Sequence, residues 1–219
     1  AVVGRGMLSI LGTDSSIGSP AALAGRKVHV AAPGSTPDYV FRRILAASAL
    51  VPGKDISLDV SLPTPEIAQG LIAGRIEIAV LPEPFASMAQ RGNPSLVRLF
   101  DVQAAWAAAT AVTDYPMTVL VVDRRWARAN RVRLEAILTA YSESVDWVLE
   151  NPEKAALIAQ EAGLGVQAPA LAQAIGRSAY CFMSAVEARS ELEALYAAFL
   201  AFAPESIGGA LPAEGFYWK

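Results

Sequence analysis

Residues 27–85 read KVHVAAPGSTPDYVFRRILAASALVPGKDISLDVSLPTPEIAQGLIAGRIEIAVLPEPF, and this stretch decides the fold. Lys27 to Ala31 has strand character and is broken by Pro33-Gly34. Thr36-Pro37 opens a helix that runs to about Leu50, where Pro52-Gly53 ends it. From 56 to 62 the pattern alternates strictly. Ile56, Leu58, Val60 and Leu62 share one face, and Ser57, Asp59 and Ser61 the other, as in a half-buried strand. Thr64-Pro65 opens a second helix, stopped by Gly74; Ile76 to Leu81 is a third strand; Glu83-Pro84 opens a short third helix, stopped near Gly92. Strand and helix alternate with short connections, which implies a mainly parallel sheet covered by helices.

Working outward, Leu96 to Phe100 reads as a further strand, and so do residues 6–12 (GMLSILG) and Met117 to Val122. Residues 13–21 are Ser- and Gly-rich loop. Beyond 131 the character turns helical. Leu134, Ile137, Leu138, Tyr141, Val145 and Val148 recur at helical spacing, Asn151-Pro152 starts another helix, and Leu192, Leu195, Tyr196, Phe199 and Leu200 form a further stripe. The strands at 6–12 and 117–122 therefore bracket an α/β lobe that a helical segment follows. The expected division is 1–21 for a hinge strand and a remnant of lobe one, 22–114 for lobe two, 115–123 for the return hinge strand, and 124–219 for helices completing lobe one.

Composition narrows the function. Of 219 residues, 53% are hydrophobic and 18% charged, enough apolar material for a sizeable core. The net charge of −3, with no basic run, speaks against a nucleic-acid partner. One cysteine, Cys181, and one histidine, His29, fall on different predicted elements. They supply neither a nucleophile with its base nor a metal shell of the usual kind. Cys181 reads as a small apolar side chain and His29 as a structural strand residue. No nucleophile-elbow serine and no Gly-rich phosphate loop occur, so neither an enzyme nor a cofactor is expected.

The candidate site is the set of three proline junctions, Gly34-Ser35-Thr36-Pro37-Asp38, Leu62-Pro63-Thr64-Pro65-Glu66 and Leu81-Pro82-Glu83-Pro84-Phe85. Each follows a strand and is read with Pro at the first helical position and Thr36, Thr64 or Glu83 at the N-cap. In a parallel sheet all three lie at the carboxyl ends of the strands, the edge where open α/β sheets bind ligands. Helix N-termini there present free N–H groups suited to a sulfonate, phosphate or carboxylate. Ordinary capping is the competing reading of each junction. Glu83 differs: a free carboxylate would repel an anion and favour an amine or a zwitterion, unless it only caps its helix or pairs with an arginine across the hinge.

In order and spacing these pieces resemble the nitrate/sulfonate/taurine-type solute-binding proteins of ABC importers, a family with thiamine-pyrimidine-binding relatives and a periplasmic-binding-protein type 2 fold. The resemblance is carried by Leu23-Ala24-Gly25-Arg26-Lys27-Val28, Pro33 to Tyr39, Pro65-Glu66-Ile67-Ala68, Ala79 to Phe85, Tyr115 to Val122, Ile207-Gly208-Gly209 and Gly215-Phe216-Tyr217. It implies an extracytoplasmic protein of the periplasm or anchored to the membrane, binding a small polar, anionic or zwitterionic solute between two lobes and docking on permease subunits. The implied cleft wall is Ser35, Thr36, Thr64 and Glu83, followed by Tyr115, Met117 and Ser9. Family members carry a strand-helix-strand-helix section before the first hinge strand that has no counterpart here, so lobe one is expected to be incomplete at its N-terminus, leaving an edge that allows a homodimer. A ligand-sensing effector domain of a regulator is the alternative role of the same fold.

Overall fold

The computed structural model describes residues 1–218. In chain order the strands are β1 (Val2–Gly4), β2 (Leu8–Gly12), β3 (Lys27–Val30), β4 (Ser57–Asp59), β5 (Ile78–Pro82), β6 (Val97–Arg98), β7 (Thr118–Val119) and β8 (Tyr180–Met183). The helices are α1 (Thr36–Ala47), α2 (Thr64–Ile72), α3 (Phe85–Gly92), α4 (Val102–Thr110), α5 (Arg124–Ala129), α6 (Arg131–Glu150), α7 (Pro152–Glu161), α8 (Ala168–Ile175) and α9 (Arg189–Phe202).

The strands form two sheets, five-stranded β4-β3-β5-β2-β6 and three-stranded β7-β1-β8. β3 runs parallel to β4 and β5, as the alternation of strand and helix requires. β2 opposes both β5 and β6, so the larger sheet is parallel on one side only. Side chains alternate between two covered faces. Leu8, Ile10, Val28, Val30, Ile78 and Val80 pack with Phe41 and Ile44 of α1 and Trp106 of α4. Leu11, Ala31, Ala79 and Leu81 pack with Ile67 and Leu71 of α2 and Ala86 and Ala89 of α3. Strands buried on both faces must be nearly continuous in apolar residues, which is why Ile78 to Leu81 carries no polar position.

Three expectations change. The strand expected at 6–12 is β2, Leu8–Gly12, and a separate unexpected strand, β1, precedes it in the other sheet, with the crossing at residues 5–7. The run 117–122 gives only the two residues of β7, which pairs with β1 and lies at the edge of its sheet, with Val121 76% exposed. The strand expected at 56–62 stops at Asp59, whose carboxylate turns back to accept from the Ser61 amide at 3.0 Å and hydroxyl at 2.6 Å.

The chain crosses between the sheets at two adjacent places, and one carboxylate ties them. Asp114 Oδ1 accepts from the Gly6 amide at 3.0 Å and from the Tyr115 amide at 2.8 Å. Gln103 donates to the Gly6 carbonyl, and the Met117 amide to the Gly4 carbonyl at 2.8 Å. Arg5 pairs with Glu191 of α9 and lies 3.6 Å from Asp114. Burial pushes the Glu191 carboxyl up, against the pull of Arg5.

His29 stands on β3 with Nε2 3.3 Å from Asp59. Burial lowers its pKa, and the Asp59 charge opposes that shift. The folded chain therefore resists a proton that the unfolded chain accepts, so this group reduces stability as pH falls below about 6.5.

Two predictions follow from this packing. A Cβ on Gly6 would clash with Asp114 Oδ1 and stand 2.7 Å from Gln103 Cγ, so Gly6→Ala should destabilise by about 1–3 kcal/mol in urea unfolding. The lone histidine gives an unambiguous NMR titration. Its midpoint is expected below the free value of about 6.5, and lower still in Asp59→Asn; a midpoint above 6.5 would contradict the burial argument.

Candidate functional site

Because β3, β4 and β5 are parallel, the starts of α1, α2 and α3 emerge at one edge of the larger sheet. The antiparallel β2 brings its own start there, since Leu8 pairs with Pro82 and Ser9 with Leu81. Ser35, Thr36, Thr64, Glu83 and Ser9 are thus gathered at this edge.

The capping differs from the expectation by one residue. Ser35 and Pro63 are the N-caps of α1 and α2, Thr36 and Thr64 are the first helical residues, and neither helix has a side-chain cap bond. The reason at α1 is that its loop is closed from within. Ser35 Oγ donates to the Ala32 carbonyl at 2.5 Å, and the buried Asp38 accepts from the Gly34 amide at 3.0 Å and from Arg42 Nε at 2.5 Å. Gly34 sits at φ +72°, in the left-handed region, which the turn needs. Among the described residues the amides of Ser35 and Thr36 have no partner. These two N–H groups, with the half-buried Thr36 hydroxyl, are the donors this junction offers; the Ser35 O–H is already engaged with Ala32. Beside them Tyr39 packs against Phe199 of α9, with ring centroids 4.6 Å apart.

Glu83 is neither free nor exposed. Its side chain is fully buried, Oε2 accepts from the Ser87 amide at 3.0 Å, and Oε1 accepts from Arg98 Nη2 at 2.7 Å. It therefore holds the first turn of α3, whose N-cap is Pro84, and pairs with an arginine. That arginine lies on β6 of the same sheet, two strands away, and not across the crossing. Arg98 also donates to Ser9 Oγ, so the 3% exposed Ser9 is linked to the same pair. A matched carboxylate no longer repels an anion.

Tyr115 is completely buried and packs edge-on against Trp106 at 5.4 Å. Burial raises its phenol well above the ordinary range. Met117 is half-buried, in the return crossing. The structure thus places these two in and beside the core at the crossing, apart from the helix starts. Arg98 was not singled out from the sequence. Its signal, a lone cation in a short apolar strand run, is legible only once the register sets it opposite Leu11 and beside Ser9.

Two cavities lie elsewhere. One of about 510 Å³ is lined by Val119, Leu134, Ile137, Leu192 and Tyr196 among others, and one of about 340 Å³ by Val145, Val148, Ala155 and Ile175 among others. None of the sequence-predicted site residues lines either.

Residues 12–163, most of the chain, match the model of the NMT1-like family. The chain belongs to the NMT1-like family. No curated protein matches the sequence. Among solved structures, an ABC transporter protein from Parabacteroides distasonis is 25% identical; the match covers 100% of this chain and 71% of that one, with TM-score 0.74. The periplasmic aliphatic sulphonate binding protein SsuA from Escherichia coli shares the fold at 19% identity, with 100% and 69% coverage and TM-score 0.70. A desulfurization enzyme, DSZB, shares it at 18% identity, with 91% and 70% coverage and TM-score 0.57. The NMT1-like chain thus has the α/β fold of the periplasmic binding proteins. Its structural neighbours are mostly solute-binding components of ABC importers, which supports that general role, although the fold also carries an enzyme.

Replacing Glu83 by Ala removes the acceptor of both the Ser87 amide and the guanidinium. Arg98, about one-third exposed, can turn to water. Glu83→Ala is therefore expected to cost about 1–3 kcal/mol in urea unfolding, with the slope of the transition unchanged.

Proposed function

We propose that this chain is the solute-recognition component of an ABC importer, and that it takes a small anionic or zwitterionic solute at the edge where α1, α2 and α3 begin. The observation that carries the reading is the arrival of these three helix starts at the carboxyl ends of three mutually parallel strands. The resemblance to importer proteins supports it. An anion at the α1 start would accept from the Ser35 and Thr36 amides and meet the positive end of the helix dipole. Thr64 at the α2 start offers a second contact. Sulfonates, nitrate, taurine and pyrimidines are the classes to which these donors are suited. Tyr115, Met117 and Ser9 support the wall from behind; Glu83 keeps the α3 start in place.

Recognition here is passive. The solute is bound, the two sheets close on it about the paired crossings, and the closed form engages permease subunits outside the cytoplasm. Periplasmic neighbours such as SsuA support that location.

Calorimetric titration with taurine, methanesulfonate, nitrate and an aminopyrimidine tests the reading. At least one should bind, and Thr36→Asp, which sets a negative charge among the α1 amides, should weaken an anionic ligand by roughly tenfold or more. Binding by none of the four, or undiminished binding by the Asp variant, would refute the site.

A further inference from the structure

We propose that Arg98 is a specificity-determining residue of this edge, an anion-contacting guanidinium held ready by Glu83 and Ser9. The inference rests on the ligand reading above and names a residue that reading did not include.

Arg98 lies at the end of β6, and its guanidinium reaches along β2 to Ser9 Oγ and across to Glu83 Oε1. The two partners are unlike it in exposure. The Glu83 side chain is 0% exposed and Ser9 3%, whereas the Arg98 side chain is 34% exposed. The ion pair is therefore closed on the carboxylate side and open on the guanidinium side. A guanidinium has five N–H donors in a rigid plane. One bond to Ser9 and one to Glu83 engage two of them. The others remain for a planar or tetrahedral oxyanion, the geometry to which an arginine fork is suited.

Stability alone does not explain this arrangement. A carboxylate buried to this degree carries a desolvation penalty that its partner's attraction only offsets, so such a pair is a poor source of net stability. What it supplies is position. Glu83 Oε2 is fixed by the Ser87 amide at the α3 start, and the Glu83 amide donates to the Met7 carbonyl at 3.0 Å, in the crossing. The guanidinium is thus anchored to both the α3 junction and the β1–β2 crossing. The same cluster holds an unmet polar group. Ser87 Oγ is fully buried, four residues beyond Glu83, and has no partner among the described residues.

The carboxylate also sets the strength of the site. With Glu83 ionised the pair is neutral overall, so an anion is held by directed N–H bonds and the helix start, and released readily. Glu83→Gln would leave the guanidinium charge unmatched and tighten anion binding, although the protein becomes less stable. Opposite directions for affinity and stability are what a merely structural pair would not produce.

The test uses the protein and its variants Arg98→Gln, Arg98→Lys and Glu83→Gln, each checked for folding by circular dichroism. Binding of methanesulfonate, taurine and nitrate is measured by calorimetry at low and high salt, with uncharged methanesulfonamide as the comparison. The expected result is a loss of about ten- to a hundredfold in affinity for the anions in Arg98→Gln, partial recovery in Arg98→Lys, tighter anion binding in Glu83→Gln, and little change for methanesulfonamide. If the wild-type protein binds an anion and Arg98→Gln binds it equally well, the role of Arg98 is overturned and the ligand reading stands. If the wild-type protein binds none of the anions, both are overturned.

Discussion

Parallel strands cannot be joined by a tight turn; the chain must travel back along the sheet before the next strand begins. Here the return leg is helical after each of β3 and β4, and β5 again leads into a helix. Every helix so placed must start at the same edge. The apolar faces of α1 on one side and of α2 and α3 on the other fix this arrangement by burying Phe41, Ile44, Ile67 and Leu71 against the strands. Each such side chain contributes on the order of 1.5–3 kcal/mol when fully buried. The convergence of three helix starts is therefore a consequence of packing. Ligand chemistry uses an edge that the fold creates for its own reasons.

The polar contacts at that edge share a different logic. Asp38 closes the loop before α1, Asp59 ends β4, Asp114 joins the two crossings, and Glu83 holds the start of α3. Each carboxylate accepts from a backbone amide that a turn or helix end would otherwise leave unpaired. Two of them, Asp38 and Glu83, are buried and matched by Arg42 and Arg98. These four carboxylates are engaged in building the edge, whereas Glu66, in the first turn of α2, is exposed. Among the described residues the amides of Ser35 and Thr36 have no partner, and the Arg98 guanidinium carries N–H groups beyond those bonded to Ser9 and Glu83. An edge rich in fixed donors is complementary to an acceptor-rich solute.

Much of this was legible in the sequence because proline and glycine punctuate it. Pro37, Pro65 and Pro84 mark the helix starts, and the alternation around Ile56 marks a strand even where Asp59 cuts it short. The cap positions were missed by one residue, since Thr-Pro places the threonine inside the helix when the preceding residue is extended, as Ser35 and Pro63 are. β1 and β8 were missed because each is short and gains its stability from partners more than a hundred residues away, as when Val2 pairs with Val119 and Met183. The sequence posed the alternatives for Glu83, but its arginine is identified only by sheet register. Arg98 stands 15 residues from Glu83 and 89 from Ser9. Tyr115 shows the same limit in reverse: its position beside the return strand resembles a cleft residue, yet its ring fills the space against Trp106.

The central claim is that solute is received at the strand-end edge and not in the apolar groove lined by Ile137 and Tyr196. Backbone amide NMR separates the two directly. On titration with an anionic solute that binds, the amides of Ser35, Thr36 and Thr64 are expected to shift first and furthest, with the Arg98 guanidinium signals moving alongside. Shifts confined to Ile137, Leu192 and Tyr196, with the α1 start unmoved, would contradict the account.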